Sequence, residues 1–152
     1  MPTLQVLAER FGYDDLAVSF PEVDIPILTG AQRQGDVLVL PSAPRRTLPG
    51  FGRRQSLDAG VVVVGVRSSG HTHTLFGEGT VRRRHRAEAG QNAALTAGCV
   101  AWLHVPDGGE AFLMHSDEHG ALGIGPGVYE LRRQTDYHDE APVGQRRTFV
   151  ED

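Results

Sequence analysis

The sequence predicts an all-β fold, a small antiparallel barrel or sandwich, led by a short N-terminal helix and an irregular arm. Three observations carry this. Glycine (19) and proline (9) make up about 18% of the 152 residues, against about 12% in ordinary globular chains. That is too much punctuation for a helical bundle and too little for a disordered chain. From Asp36 onward the apolar residues alternate with polar ones or run in short β-branched blocks, as strands do. Between those blocks no helical periodicity appears. The length suits one domain, large enough to hold a core without metal or disulfide staples.

Taken in order, residues 1–12 read as the helix, with Thr3 as N-cap, Leu4, Leu7 and Phe11 on one face and Gly12 as the stop. Residues 13–35 carry Pro21, Pro26 and Gly30 and read as an arm with one short extended piece, packing on the β-domain or reaching a neighbouring subunit. The boundaries are therefore 1–35 for helix and arm and 36–152 for the β-domain. Asp36–Leu40 alternates, and residues 42–58 form a loop. Gly60–Arg67 is nearly all apolar, as a strand buried on both faces would be. Residues 71–76 continue it, Gly77-Glu78-Gly79 turns, and Thr80–Arg86 is a basic strand. Residues 87–98 read as a loop. Cys99–Val105 and Ala111–His115 flank Pro106-Asp107-Gly108-Gly109, which reads as a hairpin with Trp102 and Phe112 in the core. Residues 117–127 are turn-rich, Val128–Arg133 alternates, and Arg146–Val150 reads as a last edge strand.

Several classes are excluded. No apolar run approaches the roughly 18 residues of a membrane span. The start, MPTLQVLAER, has neither the basic nor the apolar region of a secretory signal, and a single cysteine, Cys99, allows no internal disulfide. A cytoplasmic protein follows from these. All 15 basic residues are arginine, so neither a phosphate loop with its lysine nor a Schiff-base mechanism is available. The net charge of −4 argues against a polyanion binder as a whole. The arginine clusters at 45-46, 53-54, 82-84, 132-133 and 146-147 read as a solvated, salt-bridged surface; the alternative is a grip on RNA or an acidic metabolite. Cys99, among apolar neighbours, reads as an inert core thiol.

The seven histidines carry the sharper signal. His71 and His73, at i and i+2, share one face of a strand and reach a single metal ion. His115 and His119 form a second pair at a strand end, and Glu78 follows the first pair past a glycine-rich turn. Imidazoles with a carboxylate suit zinc, iron, manganese, nickel or copper. The competing reading makes these histidines structural or surface residues. His85 lies among arginines and reads as solvent-facing, and His104, alternating with Trp102, as core-facing.

Gly65, then His71-Thr72-His73, then Glu78 resembles the first motif of the cupin family, and Gly120 followed by Pro126-Gly127 resembles a degraded second motif. The resemblance covers part of residues 65–130. It implies a compact double-stranded β-helix with a divalent metal inside, in a family of dioxygenases, isomerases, decarboxylases and non-catalytic binders. Carried over, His71, His73 and Glu78 are metal ligands. The first motif's closing glycine is replaced by His85 and the second motif's histidine is missing, so the remaining ligand falls to His115 or His119. The ending around Tyr129-Glu130-Leu131-Arg132-Arg133 also looks like short bacterial proteins that pair GHxH with a later histidine cluster.

Two functions are expected on this basis. The first is a metal-binding β-barrel, in its catalytic form an enzyme acting on a small-molecule substrate, with Glu78 as ligand or general base. The second is a non-catalytic assembly protein, a homo-oligomer that uses the β-domain as scaffold. RNA binding through the arginines is a third.

Overall fold

The computed structural model describes residues 1–12, 22–65, 72–85, 98–115, 120–133, 135–137 and 147–149. One helix, α1 (Leu4–Phe11), precedes the strands β1 (Ile27–Leu28), β2 (Gln32–Gln34), β3 (Val37–Pro41), β4 (Gln55–Ser56), β5 (Val61–Gly65) and β6 (Thr72–Gly77). There follow β7 (Thr80–Arg83), β8 (Cys99–Val105), β9 (Ala111–His115), β10 (Ala121–Ile124), β11 (Gly127–Arg133), β12 (Thr135–Tyr137) and β13 (Arg147–Phe149). A five-stranded sheet, in the order β1-β10-β9-β6-β5, faces a six-stranded sheet, β2-β3-β11-β8-β7-β4. β12 and β13 pair separately. Every ladder is antiparallel except β1 with β10. The fold is thus an all-β sandwich rather than a closed barrel. No helix among the described residues is long and apolar enough to cross a membrane.

The alternation read in the sequence sets the inner faces. Val37, Val39, Leu103 and Leu131 from one sheet meet Leu75 and Leu113 from the other, all fully buried. β6 and β9 are buried on both faces, because α1 covers the outside of their sheet. Leu4, Leu7 and Phe11 pack there on Phe76, Phe112 and Met114, with the Phe11 and Phe76 rings stacked at 4.7 Å. The helix ends follow the expected chemistry: the Thr3 hydroxyl accepts from Val6 N–H, and Gly12 turns the chain at φ 72°. On the outside of the six-stranded sheet Phe51, Cys99 and Trp102 form a separate cluster. Trp102 and Phe112 are both buried, but outside the main core, on opposite outer faces of the sandwich.

Three expectations about the strands are corrected. The apolar run at Gly60–Arg67 is not a central strand. Over Val61–Gly65 it is the edge of its sheet, with Val62 44% exposed. Pro106-Asp107-Gly108-Gly109 does turn, Gly109 N–H donating to Pro106 O at 2.9 Å, but it does not make a hairpin. β8 and β9 belong to different sheets, so the turn carries the chain across the sandwich. His104 is exposed, since its neighbours Leu103 and Val105 take the inner face.

Two ladders contain an extra residue. The register passes from Val62↔Thr74 to Val64↔His73, skipping Val63, and from Leu131↔Ala101 to Arg132↔Cys99, skipping Val100. The second bulge reverses the side-chain alternation, which is why Cys99 joins Trp102 outside rather than Ala101 inside. At the other end of the molecule the β6–β7 turn is tight. Gly79 has φ 135°, and a Cβ there would lie 2.4 Å from His104 O. Gly79→Ala is expected to cost about 3 kcal/mol in urea unfolding. Gly108→Ala, where φ is 75° and no atom lies within 4 Å of the added Cβ, should cost only about 1 kcal/mol.

Candidate functional site

The register of β6 on β9 places His73 directly opposite His115. Both side chains share the inner face with Leu75 and Leu113, so both imidazoles enter the sandwich interior. They are 1% and 0% exposed, with ring centroids 4.1 Å apart and planes tilted by 41°. Two histidines 42 positions apart in sequence are thereby neighbours at one end of the core.

Two residues from the facing sheet complete the cluster. Gln34 closes β2, and Asp36 lies in the turn to β3; both are buried. Gln34 Nε2 donates to the carbonyl oxygens of Leu113 at 2.8 Å and Gly120 at 3.2 Å. This fixes the amide so that Oε1 accepts from His73 Nδ1 at 2.9 Å. The other nitrogen, Nε2, faces Asp36 Oδ1 at 3.4 Å. Asp36 Oδ2 in turn accepts from Arg133 Nε at 3.0 Å. Arg133 belongs to β11, so the chain Gln34–His73–Asp36–Arg133 ties both sheets together at this end.

The predicted residues divide. His73 and His115 are brought together. Glu78 is not: it is exposed in the β6–β7 turn, five residues along the strand and about 16 Å from His73, so it is neither a ligand nor a base for these histidines. The expectation treated the turn as returning Glu78 to the site, whereas β7 runs on in the other sheet. His71 and His119 lie outside the described residues. Among the described residues no group of three or more His, Cys, Asp or Glu side chains is set to hold a metal ion. Gln34 and Asp36 were missed, because a glutamine and an aspartate beside a strand start read as turn chemistry. The one available signal was that Gln32 and Gln34 share a face of a strand edge.

Cys99 is no nucleophile. Burial pushes its thiol up to about 12, and the nearby Glu130 carboxylate adds to the effect. Tyr129 serves the fold: its hydroxyl donates to Gly125 O at 2.8 Å and anchors the turn into β11.

Residues 33–134 match the family described as a domain of unknown function, DUF8820. The chain belongs to this family. The DUF8820 match takes in His73, His115, Gln34, Asp36 and Arg133, and leaves out α1. Comparisons with curated proteins and with solved structures return no match.

The bridging role of Gln34 has a measurable consequence. Gln34→Ala removes the partner of His73 Nδ1–H and of a buried carbonyl, and is expected to lower unfolding free energy by about 3 kcal/mol. Gln32→Ala, which removes only the half-buried bond from Nε2 to Gly123 O at 2.8 Å, should lower it by about 1 kcal/mol. Chemical denaturation of the two variants beside the parent protein checks both.

Proposed function

We propose that this DUF8820 chain is a metal-binding β-sandwich that handles a small molecule at the histidine end of its core. The observation that carries the reading is the cross-strand pair of buried imidazoles, His73 and His115. Their surroundings support it. A metal-bound histidine characteristically donates its second ring N–H to a fixed acceptor, and Gln34 Oε1 is such an acceptor for His73 Nδ1. That makes Nε2 the coordinating nitrogen. Its 3.4 Å separation from Asp36 Oδ1 exceeds a charge-assisted hydrogen bond, about 2.7–2.9 Å. His71 and His119, two and four residues from the described pair in sequence, complete the proposed donor set. Such a set suits a divalent zinc, iron, manganese, nickel or copper ion. Bound there, the metal would supply Lewis acidity or redox chemistry. Of the described residues, His73 and His115 would hold it, with Gln34 orienting His73 and Arg133 orienting Asp36. The cupin resemblance, a cytoplasmic location and a homo-oligomeric state belong to the same proposal.

A second reading draws on the same network. Both nitrogens of His73 already face oxygen atoms, which is what a purely structural histidine needs, and the domain would then be a non-catalytic assembly or binding scaffold. Elemental analysis of tag-free protein, reconstituted with each of the five metals, separates the two. The metal reading expects close to one ion per chain, lost in His73→Ala/His115→Ala and in the milder His71→Ala/His119→Ala variant. Absence of metal after reconstitution would overturn it in favour of the scaffold.

A further inference from the structure

Away from the histidines, the edge of the sandwich opposite β2 gapes. Here β5, the edge of the five-stranded sheet, stands beside β4 and β7 of the other, and the opening between them is a cleft of about 1200 Å³. Its rim carries Arg53, Arg54, Arg83, Arg84, His85 and Arg133, and no aspartate or glutamate among the described residues lines it. Its floor is apolar, formed by Val62, Val63, Val64 and Val100. Both residues bulged out of their ladders, Val63 and Val100, lie on that floor. Bulges of this kind are enriched beside functional sites because they re-aim the chain.

The arginines are held in place. Gly52 N–H donates to Arg83 O at 2.7 Å and His85 N–H to Gly50 O at 2.8 Å, while Arg82 Nε donates to Gly52 O at 2.7 Å. The segment bearing Arg53 and Arg54 is therefore strapped to β7. Arg83 spans the gap between the sheets, donating Nε to Gln55 Oε1 at 2.9 Å and Nη1 to Val62 O at 3.1 Å. Arginines outside the cleft are also engaged. Arg132 Nε is bound by Glu130 at 2.9 Å, and Arg45 lies over the Trp102 ring at 5.1 Å. Within the cleft, Arg133 is paired as well, through Nε to Asp36 Oδ2.

We propose that this cleft binds a small organic polyanion, a molecule with at least two phosphate or carboxylate groups and an aliphatic body. Guanidinium forks bind either group in bidentate fashion. Arg53, Arg54 and Arg83 stand on one concave rim with no carboxylate among its described lining residues, which favours an anion there in a chain of net charge −4. The valine floor takes the apolar part of the ligand, and the volume is of the order of pockets for small molecules. Single-stranded RNA is disfavoured because, among the described residues, no phenylalanine, tyrosine or tryptophan lines the cleft to stack a base. The proposal does not depend on a metal at the histidines.

The test is isothermal titration of the full chain, stripped of metal with chelator and dialysed, against inorganic pyrophosphate, citrate and a 12-nucleotide single-stranded RNA. The variants are Arg53→Ala/Arg54→Ala, both exposed, and Arg45→Ala/Arg46→Ala, outside the cleft. Circular dichroism checks that each is folded. The expected result is saturable 1:1 binding of pyrophosphate or citrate, weakened at least tenfold in the 53/54 variant and less than twofold in the 45/46 variant. No binding of either anion at 50 mM salt, equal weakening in both variants, or tighter binding of the RNA than of both anions would each overturn it.

Discussion

A glutamine side chain reaching across the interior of a β-sandwich is the interaction on which the histidine end of this molecule depends. Much of the contact between the two sheets is apolar, which is strong but has no direction. Gln34 adds direction. Its amide satisfies two backbone carbonyls of the five-stranded sheet and one imidazole, and so fixes both the separation of the sheets and the orientation of His73. Asp36, two residues on, accepts from Arg133 and faces the other nitrogen of the same ring. A buried polar network is stabilising only when its members are paired, and each link here spans either the two sheets or two elements of one.

The two sides of the sandwich are consequently unlike. On one, β2 seals the gap to β10 and β9 through Gln32 and Gln34. On the other, β5 and β7 are joined across the opening by the Arg83 side chain, and the space between them is wide and positive. Arg133 belongs to both regions. Its guanidinium holds Asp36 beside His73, and the same residue lines the arginine cleft.

Much of this architecture was legible in the sequence, and for definite reasons. Alternation at Val37–Pro41 and over Gly127–Arg133 has only one inner face to offer, and the helix announced itself through Thr3, Gly12 and its apolar stripe. The His73–His115 pairing was suggested by two histidine motifs at strand ends, although the sequence could not state that β6 and β9 are neighbours. What it hid were long-range choices. Whether β8 and β9 pair or part at Gly108 depends on which sheet each joins, and the turn residues are the same in either case. The buried-looking run at Val61–Val64 became an edge because nothing in a valine says how many neighbours its strand has. Glu78 was displaced for a related reason: a turn in sequence is a reversal only if both arms stay in one sheet. Beyond the shared face of Gln32 and Gln34, the buried partners Gln34 and Asp36 gave no warning, since a polar residue at a strand end is ordinarily solvated.

The central claim is that His73 is held by Gln34 with Nδ1 protonated and Nε2 presented toward Asp36 as a coordinating atom. Its most direct measurement is long-range ¹H–¹⁵N correlation of the histidine rings, in metal-free protein and after one equivalent of zinc. The account predicts that His73 Nδ1 carries a proton throughout and that the Nε2 resonance moves to a metal-bound position on titration. A His73 ring with Nδ1 unprotonated, or with an Nε2 resonance indifferent to the metal, would contradict it.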